Sequence, residues 1–455
     1  MRQAHTVAQV RATEEPLIAA GVPLMARAST ALAVEVTRRL SPVYGARVVL
    51  LVGTGNNGAD ALYAGAQLAR RGAAVVAVLA GDPVPHALEA LLREGGRIGT
   101  PEALTGAEVV LDGLVGTGAS GPLRQGAAEL VALVREGLVV AVDVPSGVDA
   151  DSGAVSPGAL RADVTVTFGS LKPGLLIARE HVGDLVLVDI GLELPPADIE
   201  VLEDADVPAL LRHPRASDDK YRRGVVGVVA GSATYSGAAV LSVGGALVAG
   251  AGMVRYVGGV EAVRVRWPEA VVSATVAETG RVQSWVLGPG LGLDRLEVLV
   301  DVLDRPEPVV VDADALTVCA EHPYLLQRRE GSTVLTPHDR EYARFGPPVG
   351  EDRIAAARGL AERLGVHVLL KGDATVLATP DGRVRVNTTG SPYLASAGSG
   401  DVLAGALGAL LAQGLEPLDA MSVGAYLHGL AGDRARAGAG ALVEVWPSVV
   451  RSLGG

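Results

Sequence analysis

Three glycines, Gly53, Gly55 and Gly58, stand in G-T-G-N-N-G between a β-branched run and a helical pattern. That spacing lets backbone N–H groups and a helix N-terminus meet a pyrophosphate. The same turn carries Asn56, Asn57 and Asp60, two amides and a carboxylate for which hydride transfer has no use. A second turn, Gly116-Thr117-Gly118-Ala119-Ser120-Gly121, follows Asp112, and Asp143-Val144-Pro145-Ser146-Gly147 ends another apolar run. Two such turns could hold two phosphate groups of one ligand. Asn57, Asp112 and Ser146 offer hard oxygens, which suit an alkali or alkaline-earth cation better than zinc. The plainer role for Asp112 and Asp143 is to cap the helices that follow.

In the second half, Ala397-Gly398-Ser399-Gly400-Asp401 precedes the apolar run V-L-A-G-A-L-G-A-L-L. Glycine amides at a helix N-terminus make an anion hole beside a carboxylate. Asp401 could take a proton from a hydroxyl as a phosphoryl group arrives, or serve only as a helix cap. Lys371-Gly372-Asp373-Ala374-Thr375 and Asn387-Thr388-Thr389-Gly390 are further turns suited to a nucleotide. Residue usage points to the same places. Among 39 basic residues there are only three lysines, Lys172, Lys220 and Lys371, and the only asparagines are Asn56, Asn57 and Asn387, all inside these motif-like stretches.

The elements that must position these groups read as α/β. Apolar runs at Val48–Val52, Ala74–Leu79, Val109–Leu111, Leu138–Val142, Val164–Phe168 and Leu185–Ile190 are strand candidates, with helical patterns at Ala59–Arg71 and Ala127–Glu136. Such alternation predicts a parallel sheet with ligands at the strands' carboxyl ends. From Glu193 to Ser217 the pattern gives way to a Pro- and Asp-rich stretch, the expected domain boundary. A second series follows at Val225–Ala230, Trp285–Leu287, Pro308–Val311, Thr333–Leu335 and His367–Leu370.

At 455 residues the chain is long enough for two domains. A net charge of -12 argues against a nucleic-acid partner and suits a protein handling small molecules. Cys319 is the only cysteine and the N-terminus has no apolar signal core, so the expected compartment is the cytosol. Gly237–Val254 is uncharged and long enough for a membrane span, yet its Gly, Ala, Ser and Val content suits a buried helix packed closely on a sheet.

The turns G-x-G-N-N-G-x-D and L-D-x-L-x-G-T-G, with D-x-P-S-G and F-G-x-L-K-P-G, resemble the NAD(P)H-hydrate epimerase domain over about residues 5–195. The resemblance implies a Rossmann-like three-layer αβα domain, placed at residues 1–205. It implies that Asn56, Asn57, Gly58, Ala59 and Asp60, with Gly116, Thr117, Gly118, Ala119, Ser120, Gly121, Pro122 and Asp143, contact the hydrated nucleotide. Asn57, Asp112 and Ser146 would bind potassium. Epimer inversion through loss and return of water needs carboxylates to manage protons, with Asp143 the first candidate and Asp60 the second. Ala59 and Ala61 stand where the family usually has glycine.

Lys220-Tyr221 with Arg223-Gly224, then G-S-A-T-Y-S-G-A-A, G-P-G-L-G, L-T-P-H, K-G-x-x-T, N-x-T-G-S-P and G-S-G-D-V-L-A-G, resemble the ribokinase-like NAD(P)H-hydrate dehydratase domain over roughly residues 212–440. The resemblance implies a ribokinase-like α/β domain at residues 206–455, with Ala238, Gly292, His338 and Asp401 around the hydrate. Lys371, Gly372, Asp373, Ala374, Thr375 and Gly400 would surround an adenine nucleotide. Bacterial members typically use ADP, and the residues do not decide between ADP and ATP. Magnesium is expected from phosphoryl chemistry, its ligands unnamed. Arg340 and Tyr393-Leu394 depart from the family pattern near the pocket.

Together the two resemblances imply a bifunctional repair enzyme that interconverts hydrate epimers and dehydrates one of them at the expense of ADP, with no nucleic-acid or membrane partner. The alternative is a ribokinase-class small-alcohol kinase fused to a silent Rossmann-like domain. Oligomeric state, a homo-oligomer included, stays open.

Overall fold

The computed structural model describes residues 1–118 and 121–454. It divides into two compact units, Gln3–Ala197 and Asp198–Gly455 with Met1–Arg2.

In the first unit a seven-stranded sheet runs Arg97–Ile98, Ala74–Leu79, Arg47–Val52, Val109–Gly113, Leu138–Val142, Val164–Phe168, Asp184–Val188, every neighbouring pair parallel. Along the strand Arg47–Val52, buried from Val48 onward, the side chains alternate between the two faces. Val48, Leu50 and Val52 pack with the helices Leu24–Arg39 and Asn56–Arg70, while Val49 and Leu51 pack with Gln125–Leu133 on the other face. Both faces are covered, as a doubly wound parallel sheet requires. The strand order reverses between Arg47–Val52 and Val109–Gly113. Ligands bind such sheets beyond the carboxyl ends at this switch point, where both glycine turns lie.

The second unit carries a larger sheet in the order Ile199–Val201, Val384–Asn387, Thr375–Ala378, His367–Leu370, Thr333–Leu335, Val309–Val311, Ser284–Leu287, Val225–Val229, Met253–Val257, Val271–Ser273. It is parallel apart from the antiparallel pairings made by Thr375–Ala378. Its switch point lies between Val225–Val229 and Ser284–Leu287, where Gly231 N donates to Pro289 O at 2.7 Å. Helices Ser236–Val248 and Ser399–Ala412 pack backbone to backbone. A Cβ on Gly245 would lie 2.2 Å from Val402 O, and one on Gly405 2.0 Å from Ser242 O.

The uncharged run Gly237–Val254 is therefore not one helix. Its helix ends at Val248, and the chain turns through Gly250 into the strand Met253–Val257. A continuous apolar run hides that break because periodicity vanishes in it. Likewise the Pro- and Asp-rich stretch holds a short strand and a short helix, Ile199–Val201 and Val207–Leu210. Among the described residues no single helix is long and apolar enough to cross a membrane, although the bent pair Val7–Ala19 and Leu24–Arg39 passes by length and composition together. Cys319 is buried in the helix Asp314–Glu321, and burial pushes its thiol up to about 12.

Candidate active sites

In the first unit the strand Leu138–Val142 delivers Asp143 into a turn where its φ is 65°, a conformation that costs a non-glycine residue energy. The carboxylate is held there. Oδ1 accepts from Lys172 Nζ at 2.6 Å, Thr167 Oγ1 at 2.9 Å and Phe168 N at 3.3 Å. Lys172 is 2% exposed, and its ammonium also donates to Thr167 Oγ1 and to Phe168 O at 2.9 and 3.0 Å. The lysine is thus fixed by the strand end Val164–Phe168 and aimed at one carboxylate oxygen.

Asp60 enters from the first turns of the helix Asn56–Arg70 and is 7% exposed, its Oδ1 without a hydrogen-bond partner among the described residues. Burial pushes its carboxyl well above the usual range, and the negative charges of Asp143 and Glu14 add to the effect. Glu14, on the helix Val7–Ala19, is raised by burial too, with Lys172 opposing and Asp143 reinforcing. Three carboxyls gather around one ammonium, and two of them, Asp60 and Glu14, are pushed toward the protonated form, as a general acid needs.

Beneath these groups lies Asp112, 0% exposed, which accepts from Ser146 N at 2.8 Å, Ser146 Oγ at 2.7 Å and Leu114 N at 3.3 Å. No cationic side chain pairs with it among the described residues, and burial raises its carboxyl against those hydrogen bonds. Asn57 Nδ2 donates to Val115 O at 3.0 Å and to Val142 O. The Asn57 amide, Ser146 Oγ, an Asp112 oxygen and two backbone carbonyls therefore cluster in one place. Gly116 is required there, since a Cβ on it would lie 2.4 Å from Asn57 Oδ1.

Gly58 packs against Gly53 O, and Asn56 opens the helix. The methyls of Ala59 and Ala61 are buried in the core, so the departure from glycine does not reach the turn's open side. Gly116, Thr117, Gly118, Gly121 and Pro122 form the facing turn, with the Arg11 guanidinium close to Gly118. Ala119 and Ser120 lie outside the described residues.

The second unit repeats the pairing of a strand-end aspartate with a lysine. Asp312 follows the strand Val309–Val311, and its Oδ1 accepts from Lys371 Nζ at 2.9 Å and Thr336 Oγ1 at 2.7 Å. Lys371 also lies 3.7 Å from Glu341 Oε2, and these carboxylates hold its ammonium above its usual range despite burial. Asp401 stands in the first turn of the helix Ser399–Ala412, whose N-cap is Gly398 at φ 88°. It is not the cap. Its carboxyl is pushed up to about 6 by burial and by Asp312, with Lys371 pulling the other way.

A Cβ on Gly400 would lie 3.4 Å from Lys371 Nζ, so the ammonium and the helix N-terminus face one space. His428, buried and pushed down to about 4 by that burial, donates Nε2–H to Ser399 O at 2.9 Å. Ala238 touches the glycine turn at Gly290, and Gly292 N donates to Asp314 Oδ2 at 2.8 Å. His338 caps its own helix, Nδ1 accepting from Glu341 N, with the side chain 51% exposed. Behind the Lys371–Thr375 turn, Arg353 donates to Lys371 O at 2.9 Å and crowds Gly372, while Ala374 is buried and Thr375 Oγ1 donates to Gly372 O. Asp373 belongs to the same turn. No group of three or more His, Cys, Asp or Glu side chains arranged to hold a metal ion occurs among the described residues.

The family model described as NAD(P)H-hydrate dehydratase matches residues 226–447, and that described as the YjeF-related protein N-terminus matches residues 21–174. The bifunctional NAD(P)H-hydrate repair enzyme Nnr of Mycobacterium tuberculosis is 49% identical over 431 residues, which cover 91% of this chain and 90% of that protein. This chain belongs to the bifunctional NAD(P)H-hydrate repair enzyme family. Among solved structures, a ribokinase-like superfamily protein of Enterococcus faecalis is 25% identical with a TM-score of 0.53, covering 57% of this chain and 98% of its own. The ADP/ATP-dependent NAD(P)H-hydrate dehydratase of Bacillus subtilis, co-crystallised with ATP and magnesium, is 28% identical with a TM-score of 0.50, covering 55% and 97%. The second unit of this repair-enzyme family member is ribokinase-like, the first Rossmann-like.

Several residues at these sites escaped the sequence reading. Lys172 stood out by rarity but had no role. Glu14 and Arg11 lie far from the glycine turns in sequence, and only the fold brings them near. Asp312 and Asp314 carried a signal: V-V-V-D-A-D-A has the apolar-run-then-aspartate form of V-A-V-D-V-P-S. Lys220 is exposed, with its ammonium 5.4 Å from the Tyr221 ring centre, so its rarity does not mark a buried site.

Proposed function

We propose that the first unit interconverts the two epimers of hydrated NADH and NADPH, and that the second dehydrates the S epimer at the expense of ADP, releasing AMP and phosphate. The observation that carries this reading is that each unit joins a strand-end aspartate, a lysine paired with it and a second carboxyl raised by burial at the carboxyl end of its sheet. Membership of the family supports it, and does not favour the alternative of a small-alcohol kinase with a silent partner domain.

At the first site protonated Asp60 donates to the hydroxyl leaving the ring carbon while the ring nitrogen's lone pair forms an iminium. Asp143, held by Lys172, takes a proton from the water that returns on the opposite face. Asn56, Asn57, Gly58, Ala59 and the facing turn Gly116–Pro122 cradle the nucleotide. Potassium fits at Asn57, Asp112 and Ser146, because a buried carboxylate without a cationic partner lies among hard oxygens. Its contribution there is to balance Asp112 and tie the turns together.

At the second site Asp401 takes the proton of the hydrate hydroxyl as that oxygen attacks the nucleotide's terminal phosphorus. Lys371 and the amides at Gly400 receive the transferring oxygens. Departure of phosphate, with loss of the neighbouring ring proton, restores the dihydronicotinamide. Ala238, Gly292 and His338 surround the hydrate, and Lys371–Thr375 the nucleotide. Magnesium would arrive on the nucleotide phosphates, which suits a site with no protein cage of its own among the described residues.

The test is to supply both hydrate epimers with magnesium, potassium and either ADP or ATP, and to follow NADH absorbance. Complete recovery with one nucleotide is expected. Recovery that stops at the fraction of one epimer would refute the epimerase assignment, and no recovery with either would refute both.

A further inference from the structure

The second unit contains a cavity of about 280 Å³ remote from the site just described. Its floor is formed by Val248 and Gly250 at the C-terminal end of the helix Ser236–Val248, and by Leu410 and Gln413 at the end of Ser399–Ala412. These are the helices whose opposite ends carry Ala238 and Asp401, about 15 Å away along their axes. Trp446 and Val450 of the last helix, Ala439–Ser452, form a wall. Trp446 is 0% exposed, and its indole N–H is buried without an acceptor among the described residues.

The rim is cationic in a chain of net charge -12. It carries Arg212, Arg223 and Arg451 against one carboxylate, Asp218. Arg212 is paired with that carboxylate at 3.2 Å. Arg223 reaches only the carbonyl of Gly250, at 3.4 Å, and Arg451 has no partner among the described residues. An apolar chamber near the lower size limit of small-molecule sites, with unpaired guanidiniums at its mouth, selects an apolar body bearing one negative charge.

We propose that this cavity binds a monocarboxylate with an apolar tail or ring, and that it is an effector site for the unit's own active site. The physical link is the glycine seam. Because Gly245 and Gly405 bring the two helix backbones into contact, a ligand wedged at one end of the pair acts on both of the helices that carry Ala238 and Asp401. Coupling of this kind is reciprocal, so nucleotide affinity reports the effector.

The experiment uses bromo-octanoate, whose heavy atom quenches tryptophan fluorescence, against the neutral bromo-octanol. Saturable quenching by the carboxylate is expected, lost in Trp446→Phe and shifted to about tenfold higher concentration in Arg451→Glu, an exposed change that leaves the core intact. At saturation the ADP affinity of the wild-type chain shifts by about twofold or more. Quenching that does not saturate, or that Arg451→Glu leaves unchanged, overturns the site. Unchanged ADP affinity at saturation overturns the effector role. The quenching arm does not depend on the nucleotide assignment of the Asp401 site, so the two readings fail separately.

Discussion

Lys172 Nζ lies 2.6 Å from Asp143 Oδ1, and Lys371 Nζ lies 2.9 Å from Asp312 Oδ1. In both units the aspartate leaves the carboxyl end of a parallel strand, and the lysine follows another strand of the same sheet, the adjacent one for Lys172 and the next but one for Lys371. The ammonium in such a pair does more than stabilise. It fixes which carboxylate oxygen stays free for chemistry, because the other already accepts.

Lys172→Met leaves the Asp143 carboxylate without its cation in a largely buried site. The cost expected is about 3–5 kcal/mol of unfolding free energy, read by urea denaturation, together with loss of epimer exchange. Lys172→Arg should not restore exchange, because a planar fork does not fit a point-charge pocket.

Asp143→Asn leaves the Lys172 ammonium buried without its carboxylate, so it should also lower stability, and it should end epimer exchange, followed by chromatography of the separated epimers. An unchanged exchange rate would remove Asp143 from the mechanism.

Asp60 acts in its protonated form, and its carboxyl is raised by burial. Epimerisation should therefore fall as pH rises through that raised value, and Asp60→Asn should abolish this limb along with most of the rate. The stability sign is opposite to that of an ion-paired carboxylate. A raised folded-state value contributes stability below the unfolded pKa that is lost as pH rises through the folded one. Asp60→Asn should thus raise the melting temperature at neutral pH relative to wild type.

Asp401 acts ionised, and its carboxyl sits at about 6. Dehydration should weaken below that pH and level off above it, seen in kcat/KM across a pH series. Asp401→Asn should lower turnover by about 10²–10⁴-fold and leave ADP binding measurable by calorimetry.

Potassium should raise the melting temperature of the wild-type chain more than sodium or choline at equal ionic strength, through binding to the folded state alone. Asp112→Asn should abolish that difference. An equal response in both proteins would refute the cation assignment.

Much of the architecture could be read ahead of the coordinates because strands buried on both faces announce themselves as β-branched runs. Ala74–Leu79, Leu138–Val142, Val164–Phe168, Thr333–Leu335 and His367–Leu370 were bounded at the right residues for that reason. Met253–Val257 is hidden inside an uncharged stretch, and the antiparallel pair Thr375–Ala378 with Val384–Asn387 offers runs of only four residues each beside the turns Lys371–Thr375 and Asn387–Gly390. At the sites, the turn-borne Asp60, Asp143 and Asp401 stood next to glycine and proline signals. Glu14, Asp314 and Glu341 did not, because their place beside the others comes from packing of elements remote in sequence.

Cys319 is the chain's single thiol, buried in a helix with its ionisation pushed up to about 12. Maleimides react with thiolate, so the native protein is silent to them at neutral pH. A cysteine introduced at an exposed position becomes the sole labelling point without removal of any native residue. Fluorophores or spin labels can therefore report from either unit in the unaltered background.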